Sequence, residues 1–551
     1  MFRPVVFVFV SLHLGSSFGT YTKKYQPPSH HPDCKLQAGS QHDSDLDDNS
    51  KSQLQAYLNT ISPPCQSGAS EVQIPPLDIQ PLIVSGPSAN RNNLVFFSDG
   101  YTQTEHTKFL SDALRLAEDV SKNETFNTVQ PLLNFWAAFT PSNHSGLGVD
   151  KPNDTPFGLY RIGSELRGVY VGHQKTGRAA CDSLGSQCDV PIFLGNDPRY
   201  GGIGGDLVTI TSSTLNGPLV LRHELGHNLI GVGEEYDGGD HYFGHNAAHD
   251  AQDIPWNHWL SNSTQKDKQG NPRVERAIMA LQVYPWTLLN MSSPWSASFS
   301  SSGSYHRYSV QFSLSGIPQK EDLRVTLDGQ DLKWTPRGGV GDDRWFYEFV
   351  VDSSLPNGQH EIKFELLNKG IEGSAQLCST EILEYGKEEE FIAKPGFYSL
   401  YPTFSSTNKT SYRPTNADCL MRAVTKPNFC SICLETLWIN LLRGISLIDD
   451  VKEKCSAGSS ASPSAKVLEV NLIPLAHLRQ DFSISEEAYS IIWRKDGQLL
   501  NQYTNQTKIK LDGAQTTGVY QVEVEYATPE IRISSQYLKA TRKHIVKSDC
   551  T

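Results

Sequence analysis

Residues 217–239, GPLVLRHELGHNLIGVGEEYDGG, constrain the fold more than any other stretch of this chain. Pro218 opens a short helix and Gly231 closes it, because proline is preset for a first helical turn and glycine for the residue past the last. No breaker separates His223 from His227, so both imidazoles stand on one helix face, about 6 Å apart along the axis. Three carboxylates follow, Glu234, Glu235 and Asp237. On a continuing helix Glu234 would lie roughly 16 Å beyond His223. A carboxylate can join the two imidazoles only if the chain turns back, and Gly231 and Gly233 stand where it would do so.

Two imidazoles at this spacing can both reach a zinc ion at about 2.1 Å, and a catalytic zinc takes three protein ligands and keeps one position open. His223 and His227 are therefore expected as metal ligands for Zn2+, with the third drawn from Glu234, Glu235 and Asp237. Glu224, next to one ligand, is placed as general base toward water that the metal acidifies to a pKa of about 7. His241, His245 and His249 also stand four residues apart. The outer two are too far apart for one metal on a straight helix, so a rim or packing role is expected.

The surrounding pattern alternates strand and helix. Asn93–Ser98 reads as a buried strand ending in Asp99-Gly100, and TEHTKFLSDALRLAEDVS after it as an amphipathic helix. Val190–Asn196 and Asp206–Ser212 read as further strands, joined by the glycine-rich DPRYGGIGG. From residue 286 to 395 the chain changes to short alternating strands with Asp328-Gly329 and Asn357-Gly358 hairpin signals, which together read as a β-sandwich. A second sandwich follows over 466–545, and its Trp before a turn and late Gly-x-Tyr strand give immunoglobulin-like patterning. Phe429–Val451 reads as a helix and 456–465 as a Ser-rich linker.

The N-terminus pairs Arg3 with the apolar Val5–Leu14 and a small-residue exit near Gly19, which is a secretory signal peptide over 1–19. Residues 20–75 form a polar leader or linker. A secreted, extracellular location gives meaning to the ten cysteines, an even count expected in disulfides. Cys181 and Cys188 bracket a short loop and are expected to pair. Cys430-x-x-Cys433 has no second Cys-x-x-Cys, which favours structural disulfides over a redox pair or half a zinc knuckle. Sequons at Asn123, Asn143, Asn153, Asn262, Asn290, Asn408 and Asn505 fit a glycoprotein. Lys plus Arg number 48 against 60 Asp plus Glu, a net charge of −12, which argues against nucleic acid as a partner. No segment after the leader is apolar enough for a membrane span, and nothing in the sequence specifies an oligomer.

The order HELGHNLIGVGEEYD resembles the IgA-peptidase family of secreted zinc metallopeptidases, related to the metzincins. In metzincins a glycine follows the second His and a third ligand comes three residues later. Gly231 to Glu234 keeps that step, one residue further on. The resemblance implies Glu234 as third ligand, Glu235 turned away to support the loop, and Tyr236 and Asp237 around the ligands. NLVFFSDGYTQTE, DPRYGGIGG, PWNHWL at 255–260 and YRPTNADCLMRAVTKPNFC at 412–430 also resemble the family. The last is similar to a metzincin methionine turn with Met421 as its methionine, and Met279 in RAIMAL is the alternative.

The resemblance spans roughly 80–285 and 395–450. It implies an α/β (α+β) metzincin-like catalytic domain in two parts, 76–285 and 396–455, with the first sandwich inserted between them and the immunoglobulin-like sandwich C-terminal. It implies a zinc metalloendopeptidase acting on protein or peptide substrates laid along an edge strand near Asp206–Ser212. Where many metzincins carry a Tyr after the turn methionine this chain has Ala423, which leaves Tyr236 and Tyr412 as candidates to stabilise the oxyanion. The alternative is a non-catalytic secreted binding or adhesion protein on a peptidase-like scaffold. Intact His223, Glu224 and His227 favour the enzyme.

Overall fold

The computed structural model describes residues 72–122, 126–239, 241–261, 270, 272–456, 465–480, 482–511 and 516–550. The expected signal peptide, nearly all of the expected leader, and Cys34 and Cys65 lie outside the described residues. Residues 75–550 belong to one compact unit.

Its N-terminal half is a mixed sheet flanked by helices. Six strands build it, β1 (Asp78–Val84), β2 (Asn92–Asp99), β3 (Leu133–Phe139), β4 (Val190–Gly195), β5 (Gly202–Ile203) and β6 (Val208–Thr211). They lie in the order β1-β3-β2-β4-β6-β5. The inner four run parallel, and β1 and β5 are antiparallel edges. Leu94–Phe97 is fully buried on both faces, as an inner parallel strand requires, and this accounts for its unbroken apolar run. Helix α1 (His106–Lys122) buries Phe109, Ala113, Leu116, Ala117 and Val120, one stripe at helical spacing. Helix α2 (Gln174–Ser183) precedes β4, and α3 (Gly217–Leu225) follows β6.

The expectation of an edge strand at 206–212 is corrected. Val208–Thr211 is interior, paired on both sides, and the edge is the two-residue β5. Glycine explains how β5 fits. A Cβ on Gly202 would meet Val220 Cγ1 at 2.7 Å, and one on Gly204 would meet His227 Cβ at 2.7 Å. The edge strand lies directly against α3, with no room for side chains between them.

The chain then enters a sandwich of β7 (Ala277–Val283), β8 (Trp295–Ser301), β9 (Arg307–Ser315), β10 (Leu323–Leu327), β11 (Trp345–Val351), β12 (Gly358–Leu366) and β13 (Gln376–Tyr385). One sheet runs β7-β13-β9-β11, and the facing one contains β8-β12-β10. The strand β7 lies upstream of residue 286. Asp328 and Gly329 take φ of 51° and 77°, the paired left-handed residues of a type I′ hairpin.

A ribbon of β14 (Tyr401–Phe404) and β15 (Thr410–Arg413) leads to helix α4 (Ser431–Arg443). This helix is shorter than 429–451. It ends at Gly444, and 448–451 belong to a strand, because Leu447 and Ile448 turn into the next core. The last sandwich holds β16 (Ile448–Cys455), β17 (Lys466–Leu472), β18 (Ala488–Lys495), β19 (Lys508–Leu511), β20 (Gly518–Ala527) and β21 (Lys539–Val546), as sheets β16-β17-β19 and β18-β20-β21. Disulfides join Cys181 to Cys188, as expected, and Cys455 to Cys550. Among the described residues no helix is long and apolar enough to cross a membrane.

Candidate metal centre

Helix α3 carries His223 and Glu224 and then widens into a π turn, Gly226–Ile230, before Gly231 ends it at φ 72°. Regular α geometry was expected from His223 to His227, and instead His227 lies on the π turn. Such turns often re-aim a side chain at a functional site. Beyond Gly231 the chain reverses, pinned by Gly233 N donating to Phe243 O and Glu234 N to His241 O. This reversal brings Glu234 over the two imidazoles. His223 Nε2 lies 3.3 Å from Glu234 Oε2, and His227 Nε2 lies 3.2 Å from Glu234 Oε1.

These distances match what a metal needs. Donors about 2.1 Å from a tetrahedral zinc stand about 3.4 Å from one another. One ligand atom from each of the three residues fits within 4.8 Å of the other two. Each imidazole is oriented from behind, with His223 Nδ1 3.1 Å from Leu420 O and His227 Nδ1 2.8 Å from Val232 O. A proton on Nδ1 leaves the Nε2 lone pair pointing at the common centre. Glu234 is buried and its Oε2 has no aligned hydrogen-bond donor, so the donor set fits a cation.

Electrostatics agree. Burial alone would lower the His227 pKa, but the Glu234 carboxylate overrides it and holds the ring up at about 9. His223 is raised in the same way. Burial would raise Glu234, yet the two imidazoles hold it well below the usual carboxylate range. Without a cation the three groups share protons, and a metal would displace those protons.

Glu224 is buried beside them, its pKa raised by burial and tempered by His223 and His227. Met421 is fully buried under the π turn, where a Cβ on Gly226 would meet its Sδ at 2.6 Å. Met279 instead lies in β7, in a separate apolar cluster with Leu383 and Phe397. The other two carboxylates point elsewhere. Asp237 Oδ2 pairs with Arg422 Nη2 at 2.7 Å, and its Oδ1 accepts from Phe404 N. Glu235 accepts from Asn246 Nδ2 at 3.0 Å, while its N–H donates to Met421 O.

Tyr236 lays its ring against His223 with centroids 6.3 Å apart. Burial and the Glu234 carboxylate raise its phenol well above the ordinary tyrosine range. Tyr412 lies in β15, bridged to Ala248. His245 is lowered by burial and sits among Glu435, His258 and Arg443 rather than with the metal donors.

Cys430 and Cys433 were expected in structural disulfides; among the described residues both thiols are instead free and buried, as are Cys378 and Cys419. Cys430 caps α4 and Cys433 lies in its first turn, so both face inward toward Cys419 and Glu235.

Sequence reasoning missed two contributors. Tyr200, at the start of the glycine-rich loop, is pushed up to about 12, first by burial, with Glu224 and Glu234 adding to the rise. From the first sandwich, Asp343 accepts from Tyr200 N at 2.5 Å, Ser213 Oγ at 2.9 Å and Asn216 Nδ2 at 2.7 Å. Only the DPRY motif hinted at Tyr200, and nothing local marked Asp343.

A His-Glu-x-x-His helix with a returning carboxylate thus lies against the edge strand of a mixed sheet. Residues 80–276 match the family model described as IgA Peptidase M64, and on this match that segment belongs to the IgA-peptidase family. No curated protein matches the chain. Among solved structures, the adhesin domain of Epf from Streptococcus pyogenes is 12% identical, with 49% of this chain and 76% of that one covered, at a TM-score of 0.11. A two-domain esterase active on acetylated mannans is 9% identical, with 54% and 92% covered, at 0.14. At these scores neither likeness bears on fold or function.

Proposed function

We propose that this protein is a secreted zinc metalloendopeptidase, with His223, His227 and Glu234 holding the metal and Glu224 acting as general base. The observation that supports it most is the convergence of those three donors within 4.8 Å beside a buried Glu224. Zinc bound there would supply Lewis acidity, which acidifies water and polarises a carbonyl.

The protein's own groups do the rest. Glu224 takes the proton from the attacking water and passes it to the leaving amine. Burial raises its pKa, and a raised carboxylate is a better proton carrier near neutral pH. Gly204 N–H, just past β5, hydrogen-bonds Glu224 and ties the base to the edge strand. A substrate strand pairing with β5 would then pass directly over the donors. Tyr236, held protonated, is the donor we assign to the oxygen that gains charge in the transition state. Exposed Asn143, Asn290, Asn408 and Asn505 fit glycosylation on a secretory route.

The test is Glu224→Gln, with zinc content by mass spectrometry and hydrolysis of a quenched peptide library. Zinc is retained and the rate falls by about 10²–10⁴-fold, the usual worth of a general base. Hydrolysis at the wild-type rate in Glu224→Gln would overturn the mechanism. Wild-type protein that holds zinc and cleaves nothing in the library would favour the binding-protein alternative.

A further inference from the structure

Behind the catalytic donors lies a second group that the proposed chemistry does not use. Glu235, Cys419, Cys430 and Cys433 are all buried, and each offers a ligand atom within 4.8 Å of the other three. They come from three segments. Glu235 follows Glu234 in the reversing loop, Cys419 stands two residues before Met421, and Cys430 and Cys433 occupy the N-terminus and first turn of α4.

The spacing is that of thiolates around one ion rather than of a disulfide. Sulfurs about 2.3 Å from a tetrahedral zinc stand about 3.8 Å apart. Cys419 Sγ lies 3.8 Å from Cys433 Sγ, and Cys433 Sγ lies 3.8 Å from Glu235 Oε1. Cys430 N–H points at Cys419 Sγ at 3.4 Å, a hydrogen bond that steadies a thiolate ligand. Elsewhere in the same protein Cys181–Cys188 and Cys455–Cys550 are bonded, while these three thiols have no disulfide partner among the described residues.

The carboxylate gives an independent indication. Glu235 is 1% exposed, and its Oε2 has no hydrogen-bond partner among the described residues. A buried carboxylate oxygen left unpaired is costly unless a cation faces it. Arg422 is committed to Asp237, and Arg413 donates to Pro402 O and Thr403 Oγ1. Neither guanidinium bonds the Glu235 carboxylate.

We propose that Glu235, Cys419, Cys430 and Cys433 form a second, structural metal site of the Cys3Glu type, which takes zinc. Four protein ligands close the coordination sphere, so this site binds no substrate and performs no hydrolysis. Its role is to clamp the loop carrying Glu234, the segment carrying Leu420 and Met421, and the start of α4. Metal entry displaces the thiol protons, and the three cysteines remain reduced.

The experiment measures zinc in the full-length secreted protein, purified without reductant or chelator. Wild type holds about two zinc ions per chain, one for each four-coordinate site. A His223→Ala/His227→Ala variant keeps about one, and Cys433→Ser also keeps about one, while Cys378→Ser keeps about two. If the proposed catalytic site were wrong but this one right, the histidine variant would lose nothing and Cys433→Ser would still lose one.

Because Cys433→Ser can fail to fold, wild-type protein provides a second readout. After unfolding in chelator without reductant, peptide mapping should find Cys419, Cys430 and Cys433 all labelled by maleimide. Cobalt exchanged into the folded protein should give thiolate-to-cobalt charge-transfer absorption, which the sulfur-free catalytic donors cannot produce. A disulfide between any two of these cysteines, or cobalt binding without that absorption, overturns the proposal.

Discussion

Gly226, the residue before His227, shows how tightly the candidate centre is packed. A methyl group there would approach Met421 Sδ to 2.6 Å and Phe429 Cε1 to 3.2 Å. Gly226→Ala should therefore overpack the turn and lower stability by about 1–3 kcal/mol. Met421→Ala opens a cavity instead and should cost about 2–5 kcal/mol. Because the two changes share one space, the double variant should lose clearly less than the sum. Chemical denaturation of the four proteins measures this, and additive losses would remove Met421 as the reason for the glycine. Two of the three carboxylates of the same loop, Asp237 and Glu234, separate in a second experiment. Asp237→Ala strips the partner from buried Arg422 and should cost about 3–5 kcal/mol of stability with zinc still bound. Glu234→Ala should keep most of the stability and lose zinc affinity by more than the roughly 10–100-fold typical of a change behind a ligand. Calorimetric zinc titration with a thermal melt on each variant distinguishes them, and the opposite pattern would reassign the third ligand to Asp237.

At the scale of elements, what was readable depended on whether a signal was local. His223, Glu224 and His227 declare themselves by spacing, and the reversal at Gly231 follows from the length of a helix. Strands β1 and β3 escaped notice for physical reasons. Pro81 removes a ladder hydrogen bond, so DIQPLIV is tolerable only as the edge strand it is, with a register shift between Pro81 and Ile83. The run LNFWAAF, rich in alanine, has no period that separates a strand from a buried helix. Of the Cys3Glu group only Cys430-x-x-Cys433 stands out in the sequence, as half a zinc knuckle set aside for want of partners, because Glu235 and Cys419 meet it only through the tertiary fold. The clamp on α3 is equally non-local. Asp343 crosses from the first sandwich to take three donors at the helix start, and Asp343→Ala should leave them unsatisfied at a cost of about 1–3 kcal/mol each. A peptidase assay should show activity falling with it, since Tyr200 lies near Glu224 and Glu234 and Asn216 opens the helix that carries His223; unchanged stability and turnover would make the clamp incidental.

Over the whole molecule, the two sandwiches stand in different relations to the six-stranded mixed sheet. The C-terminal one shares a core with it: Leu94, Leu225, Met421, Trp438, Trp493 and Val546 belong to one continuous apolar cluster. Polar contacts reinforce that junction, with Trp438 Nε1 donating to Glu530 at 2.6 Å and Glu435 accepting from Trp259 Nε1 at 2.9 Å and from the Arg532 and Ile533 backbone. The first sandwich instead closes on its own core, including Val310, Phe312, Val325, Ile362 and Phe364. Residues 277–385 should therefore fold alone with a single cooperative transition, whereas a chain cut after residue 447 should not fold, because α4 would expose Trp438, Leu441 and Leu442.

The isolated sandwich also carries its own pH signature. Both ring nitrogens of His360 face acceptors, Nδ1 toward Asp328 at 2.7 Å and Nε2 toward Pro356 O at 2.9 Å. Partial burial opposes the charge, but these acceptors and nearby Glu384 win and raise the pKa above the ordinary histidine value. A raised histidine stabilises the fold fully below its unfolded pKa, and that contribution fades as pH climbs through the folded value. The melting temperature of 277–385 should fall as pH rises from about 6 to 8, spanning the unperturbed histidine pKa. His360→Gln should flatten that slope, and an equal slope in both proteins would show that the hairpin is not held by a charged imidazole.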